Sequence, residues 1–175
     1  MPDTILDFFI ATFDEDIFII GEEVFRSNNN ILGAFGNKII SIELSAFRNC
    51  SFLEFASFPL ATTIKNAAFA HCSSLKSILF PLVTTIEHHA FYNCMSLESA
   101  SFGTEFKSLT PITLGVLAFY HPSILTSNVD LILGANVQPE RIGNDWNEYV
   151  WKNIEVVGIK EEAEEQNIFY IGNNR

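Results

Sequence analysis

Apolar residues along this chain recur with a period far longer than that of a helix or a strand. The segments 42–63, 64–85 and 86–107 superimpose without a gap at a spacing of 22 residues. The matching columns are Ile42/Ile64/Ile86, Ala46/Ala68/Ala90, Phe47/Phe69/Phe91, Cys50/Cys72/Cys94, Leu53/Leu75/Leu97 and Phe58/Phe80/Phe102. A period this short predicts a solenoid, in which each repeat is one coil that must stack on its neighbours to bury its apolar side chains. Within a coil, the run from Leu75 to Pro81 alternates, so Ile78 and Phe80 face inward and Ser77 and Leu79 outward, as in a short strand. Stacked coils then align these strands in a parallel sheet, spaced by about 4.8 Å. The inward columns are Ala34/Ala56/Ile78/Ala100 and Gly36/Phe58/Phe80/Phe102. On the other side of the coil, Ala-Phe-x-x-Cys-x-x-Leu spaces its apolar residues by three, which predicts a helical or 3₁₀ turn. Phe25, Phe47, Phe69, Phe91 and Phe119 are then expected to form a stacked aromatic spine.

Written out, one unit reads Ile64-x-x-x-Ala68-Phe69-x-x-Cys72-x-x-Leu75-x-x-x-x-Phe80-Pro81. This resembles the BspA-like leucine-rich repeat. A weaker copy upstream places Ile20, Val24, Phe25, Asn28 and Ile31 on the same columns, with Asn28 in the cysteine position. Downstream, Leu114, Ala118, Phe119 and Leu125 continue the pattern after a spacing of 28 residues. The segment 129–159 resembles the terminal unit that follows such repeats, with strands at 129–133 and 154–159 and a Trp-containing amphipathic stretch, 146–151. The fold class implied is a repeat solenoid of the α/β leucine-rich-repeat type, with a short parallel strand per coil. The expected organisation is an N-terminal capping segment over 1–19, coils over 20–128, a C-terminal cap over 129–159 and an acidic tail over 160–175. Ile5, Leu6, Phe9, Ile10 and Phe13 suggest that the capping segment is a helix over 3–14.

Charge narrows the partners. A formal net charge of -11 argues against nucleic acid and anionic membrane surfaces, both of which need an excess of Lys and Arg. No apolar run approaches the roughly 18 residues of a membrane span, so no membrane insertion is expected. Met1 to Glu23 holds no Lys or Arg and several acidic residues, unlike a secretory leader. Met1-Pro2 reads as a genuine start, which favours an intact, leaderless chain. The location expected is the cell surface or exterior if a leader has been removed, and otherwise a virion or the cytoplasm.

Candidate chemistry is sparse. Three cysteines 22 residues apart lie along a solenoid axis and converge on no point, whereas zinc needs close ligand pairs. They are expected as buried, reduced thiols acting as weak donors. His71 adjoins Cys72, but its column holds Asn49 and Asn93, which makes it a solvated turn residue and not the base of a nucleophile pair. His88 and His89 diverge, and Asp14-Glu15-Asp16 lacks the spaced ligands of a calcium loop. Trp146, Tyr149 and Trp151 suit sealing of the last coil better than sugar stacking. No catalytic, cofactor-binding or metal-ligating set emerges, so no enzyme activity and no cofactor are expected.

The resemblance implies a non-enzymatic binding or adhesion module of protein–protein or cell-surface type. The alternative is a structural or attachment component of a bacteriophage virion, where similar repeats occur. The outward strand positions form the columns Gly33/Phe55/Ser77/Ser99 and Phe35/Ser57/Leu79/Ser101. Phe35, Phe55 and Leu79 are the apolar members of an otherwise small-residue face, and an outward Phe has no core to enter. These three are the candidate residues for a protein partner or a second copy of the chain.

Overall fold

The computed structural model describes residues 8–14, 16–102, 113–114, 118–119, 130–134 and 153–157. Numbering strands in chain order, the odd members and the last build one parallel sheet: β1 (Phe9–Thr12), β3 (Ile31–Phe35), β5 (Phe55–Ser57), β7 (Ser77–Phe80), β9 (Ser99–Phe102), β11 (Asp130–Gly134) and β12 (Asn153–Val157), adjacent in that order. Ala34, Ala56, Ile78, Ala100 and Leu131 are register partners across five strands, as the repeat alignment requires. The first four are buried while residues beside them reach the surface, so the period of two holds. Strands β11 and β12 fall within a residue or two of those expected at 129–133 and 154–159.

A second parallel sheet lines the opposite wall. It consists of two-residue strands β2 (Ile19–Ile20), β4 (Ser41–Ile42), β6 (Thr63–Ile64), β8 (Thr85–Ile86) and β10 (Thr113–Leu114). Ile20, Ile42, Ile64 and Ile86 are its inward column and are buried.

Between the sheets run two columns of phenylalanine. The spine rings of Phe25, Phe47, Phe69, Phe91 and Phe119 stack at 5.0–5.2 Å with interplanar angles of 6–14°. Phe58, Phe80 and Phe102 stack beside them at 5.9 and 6.5 Å. The spine spacing matches the distance between neighbouring strands, so each ring covers the next wherever a coil follows.

The helical or 3₁₀ turns are corrected: the described residues contain no helix. The hydrogen bonds give the reason. The amides of Ser45, Phe47 and Asn49 leave their coil for the carbonyls of Asn66, Ala68 and Ala70 in the next. The amides between them, Ala46 and Arg48, close i→i−3 turns on Glu43 and Ser45. A helix sends every amide back along its own segment, whereas here alternate amides bridge coils. The three-residue apolar spacing is real, but it belongs to a ladder of tight turns. Each turn holds two non-glycine residues of positive φ four apart: Glu23 and Ser27, Ser45 and Asn49, Ala67 and His71, His89 and Asn93. Such residues cost about 1–2 kcal/mol each, and in the first three turns their amides' bonds to the next coil hold them there.

The helix expected over 3–14 is also corrected where the structure describes it. Phe9–Thr12 is strand β1, paired with β3, with Ala11 buried against the core. Its pairing slips by one residue between Phe9 and Ile10.

Candidate functional site

The outward face of the larger sheet is built by alternation. Ala34, Ala56, Ile78 and Ala100 point into the core, which turns Gly33, Phe55, Ser77 and Ser99, and Phe35, Ser57, Leu79 and Ser101, to the other side. Phe35 and Leu79 are 38% and 41% exposed, well above any residue of the core. Phe55 is half-buried, and the cause is local: a Cβ at Gly33 would overlap its ring, so the ring lies across the bare backbone of the neighbouring strand. Phe55 is paired with Gly33 on one side and Ser77 on the other. That makes Phe35 and Leu79 its diagonal neighbours, two residues further along β3 and β7. Diagonal pairs lie about 7–8 Å apart, within reach of an aromatic ring. The fold therefore brings all three sequence-predicted residues onto one face, with Phe55 in the middle.

Strand β1 extends this patch in a way the sequence reading missed. Ile10, 52% exposed, is the register partner of Gly33 on the side away from Phe55. Ahead of strands β1 and β5, the exposed rings of Phe8 and Phe52 meet edge to face at 5.5 Å. Phe9-Ile10-Ala11-Thr12 shows no alternation of apolar and polar residues, and its apolar spacing also suits a helix. On β7 and β9 the face carries the hydroxyls of Ser77, Ser99 and Ser101, and beside it Lys76 Nζ meets Glu54 Oε2 at 2.8 Å, the exposed cross-coil pair of the column Leu32/Glu54/Lys76/Glu98.

The thiols are where the repeat spacing puts them. Cys50, Cys72 and Cys94 are buried, and each Sγ donates to the carbonyl of the spine Phe one coil earlier, Phe25, Phe47 and Phe69, at 2.9–3.2 Å. Burial pushes the Cys50 and Cys94 thiols up to about 12, and Cys72 well above its ordinary range. A thiol held protonated is a poor nucleophile and a poor metal ligand.

His71 sits in a turn at φ 63°, half-buried, with Nδ1 3.0 Å from Asn93 Nδ2. Burial, and then the Arg48 charge, lower its pKa. His89 meets the Tyr92 ring edge to face at 5.3 Å, and Asp14 and Asp16 are exposed. Glu15, Trp146, Tyr149 and Trp151 lie outside the described residues. Among the described residues no group of three His, Cys, Asp or Glu is arranged to hold a metal ion, and no helix is long and apolar enough to cross a membrane.

A regular coil, a spine of Phe and a column of Cys bonded to the spine carbonyls together define a repeat type. The model of the BspA type leucine rich repeat region matches residues 9–124 in 6 copies. The chain belongs to the BspA-type leucine-rich repeat family. The matched copies begin at residue 9, where strand β1 begins, upstream of the Ile20 at which the regular spacing is first visible. Neither the curated proteins nor the solved structures compared with the chain hold a match to it. Repeats of the family serve generally as non-enzymatic scaffolds for binding proteins.

Proposed function

We propose that this protein is an adhesion module that binds a protein partner, one displayed on a cell surface, through the outward face of its larger sheet. The observation that supports this is the zigzag of Phe35, Phe55 and Leu79 across three adjacent strands, extended by Ile10, beside the small outward residues Ser57, Ser77, Ser99 and Ser101. A parallel sheet with an apolar patch beside a row of hydroxyls offers shape and contact area. The net charge of -11 favours a neutral or cationic partner surface.

The test is the double substitution Phe35→Ser with Leu79→Ser, which spares the Phe55 ring over Gly33. Binding to intact cells and to immobilised matrix proteins is measured beside wild type, with self-association followed by sedimentation. Loss of affinity by about tenfold or more, equivalent to about 1.4 kcal/mol, is expected with the melting temperature almost unchanged. Undiminished attachment by a folded double variant would overturn the assignment of this face. Loss of self-association in place of attachment would make the partner a second copy.

A further inference from the structure

On the turn side of the stack, away from the sheet face, Arg26, Arg48, Ala70 and Tyr92 share one column and Ser27, Asn49, His71 and Asn93 the next. The ladder bonds that align them run from the amides of Ser27, Asn49 and His71 to the carbonyls of Arg48, Ala70 and Tyr92. In the first coil Arg26 pairs with the carboxylate of Glu23, three residues earlier. One coil on, the position of Glu23 is taken by Ser45, which is buried. Arg48 is thus left without the carboxylate its counterpart has, and its Nε is shielded from solvent with no hydrogen-bond partner. A guanidinium N–H withdrawn from water with no acceptor is a donor in want of one.

His71, on the next coil and in the neighbouring column, supplies a second donor. Its Nδ1 accepts from Asn93 Nδ2 at 3.0 Å, so the neutral ring carries its proton on Nε2. The ring is steadied edge-on against Tyr92 at 5.4 Å, and Tyr92 is steadied against His89. Between Arg48 and this group the column holds only Ala70, which interposes no more than a methyl. The groups around His71 are Arg48 on the coil before, Tyr92, His89 and Asn93 on the coil after, and Asn49 in its own column; none is a carboxylate.

We propose that Arg48 and the Nε2–H of His71 form a site for an oxyanion, a carboxylate or a phosphate-type group carried by a partner. The guanidinium presents a planar fork suited to two oxygens, and the imidazole adds one directional donor. On a chain of net charge -11, a cation with no partner of its own selects the one class of group that the rest of the surface repels.

Nuclear magnetic resonance titration of His71 tests this. The pKa of the His71 ring is followed in chloride, in sulfate (a tetrahedral dianion that does not titrate in this range) and in acetate, at matched ionic strength. A seated anion screens Arg48, so the His71 pKa is expected to rise by about half to one unit relative to chloride. A response to sulfate alone marks a phosphate-type site, and a response to acetate as well shows that a carboxylate suffices. In Arg48→Gln, which keeps most of the length and removes the charge, the His71 pKa is expected to be raised in chloride already and indifferent to either anion. No anion response in wild type, or an equal response in a folded Arg48→Gln, overturns the site. Should that variant not fold, the wild-type spectrum decides. Amide shifts confined to Arg48, Asn49 and the stretch 70–93 support the site, and shifts spread over the whole surface overturn it.

Discussion

Truncating one spine ring tests whether the stack is held by its interior or by each coil on its own. Phe69 is fully buried, lies between Phe47 at 5.1 Å and Phe91 at 5.2 Å with all three rings nearly parallel, and meets Phe80 at 5.9 Å. Phe69→Ala loses the transfer energy of the ring and leaves a hole walled by other rings that stacking holds in place. The expected cost is about 3–5 kcal/mol. Phe25 belongs to the same column but is only partly buried, with Phe47 on one face at 5.1 Å and Phe13 edge-on at 5.8 Å. Phe25→Ala is expected to cost about 1–2 kcal/mol, since less area returns to water and the site opens onto solvent. Against a total stability of about 5–15 kcal/mol, the first substitution lowers the urea midpoint severely and the second mildly, at constant slope. Phe69→Leu is a gentler companion that keeps most of the volume, at roughly 1.5 kcal/mol or less. Equal losses for Phe69→Ala and Phe25→Ala, or a loss below about 1 kcal/mol at Phe69, would refute the claim that burial between coils carries the stability.

The thiols give a pH prediction. With folded values near 12 for Cys50 and Cys94, and Cys72 likewise raised well above the unperturbed 9.0, the unfolded chain releases these protons from about pH 9 upward while the folded chain keeps them. The unfolded state then binds fewer protons, so stability falls as pH rises, by about 1.4 kcal/mol per pH unit for each thiol. Urea midpoints taken between about pH 8 and pH 10.5 should drop less steeply in Cys72→Ala than in wild type, and identical slopes would remove the thiols as the cause. The same three thiols should be slow toward a thiol reagent in native buffer and fully reactive in denaturant. At the sheet face, Gly33→Ala displaces the Phe55 ring and is expected to cost about 1–3 kcal/mol alone. In a Phe55→Ser background it should be close to neutral, and additive effects would show that the ring does not cover Gly33.

The strands and their inward columns were legible because one coil restates the previous one at fixed spacing, so Ala56 and Ile78 had to be partners once Phe58 and Phe80 were. The N-terminal strand was hidden by a single residue. Phe9 pairs with Ile31 at the regular spacing, but Ile10 pairs with Gly33 and Ala11 with Ala34 at one residue more, and the irregularity erases the copy from a gapless alignment. The second sheet was visible only as an isoleucine column, since a two-residue strand is too short to show alternation. The turns were misread as helical because an apolar spacing of three does not say where alternate amides go. Of the candidate site, the face of Phe35, Phe55 and Leu79 followed from register alone. The contact of Phe55 with Gly33 did not, although a glycine opposite an outward aromatic was its trace. Arg48 drew no notice because the change from Glu23 to Ser45 signifies only when Arg26 and Arg48 are seen stacked.

Stacked copies of one unit are open to unequal recombination in the gene, where a misaligned exchange adds or removes a whole coil with every apolar column still in step. The charges distinguish one exchange from another. Lys65 lies between Glu43 and Glu87, paired with Glu87 at 3.0 Å, and Lys76 lies between Glu54 and Glu98, paired with Glu54. Excising 64–85 rejoins a continuous spine yet sets Glu43 against Glu87 and Glu54 against Glu98, while duplicating it sets lysine against lysine in both columns. The hydrophobic interior cannot tell one coil from another, and these two columns can. They act as punctuation in a repetitive text, marking each coil off from its neighbours.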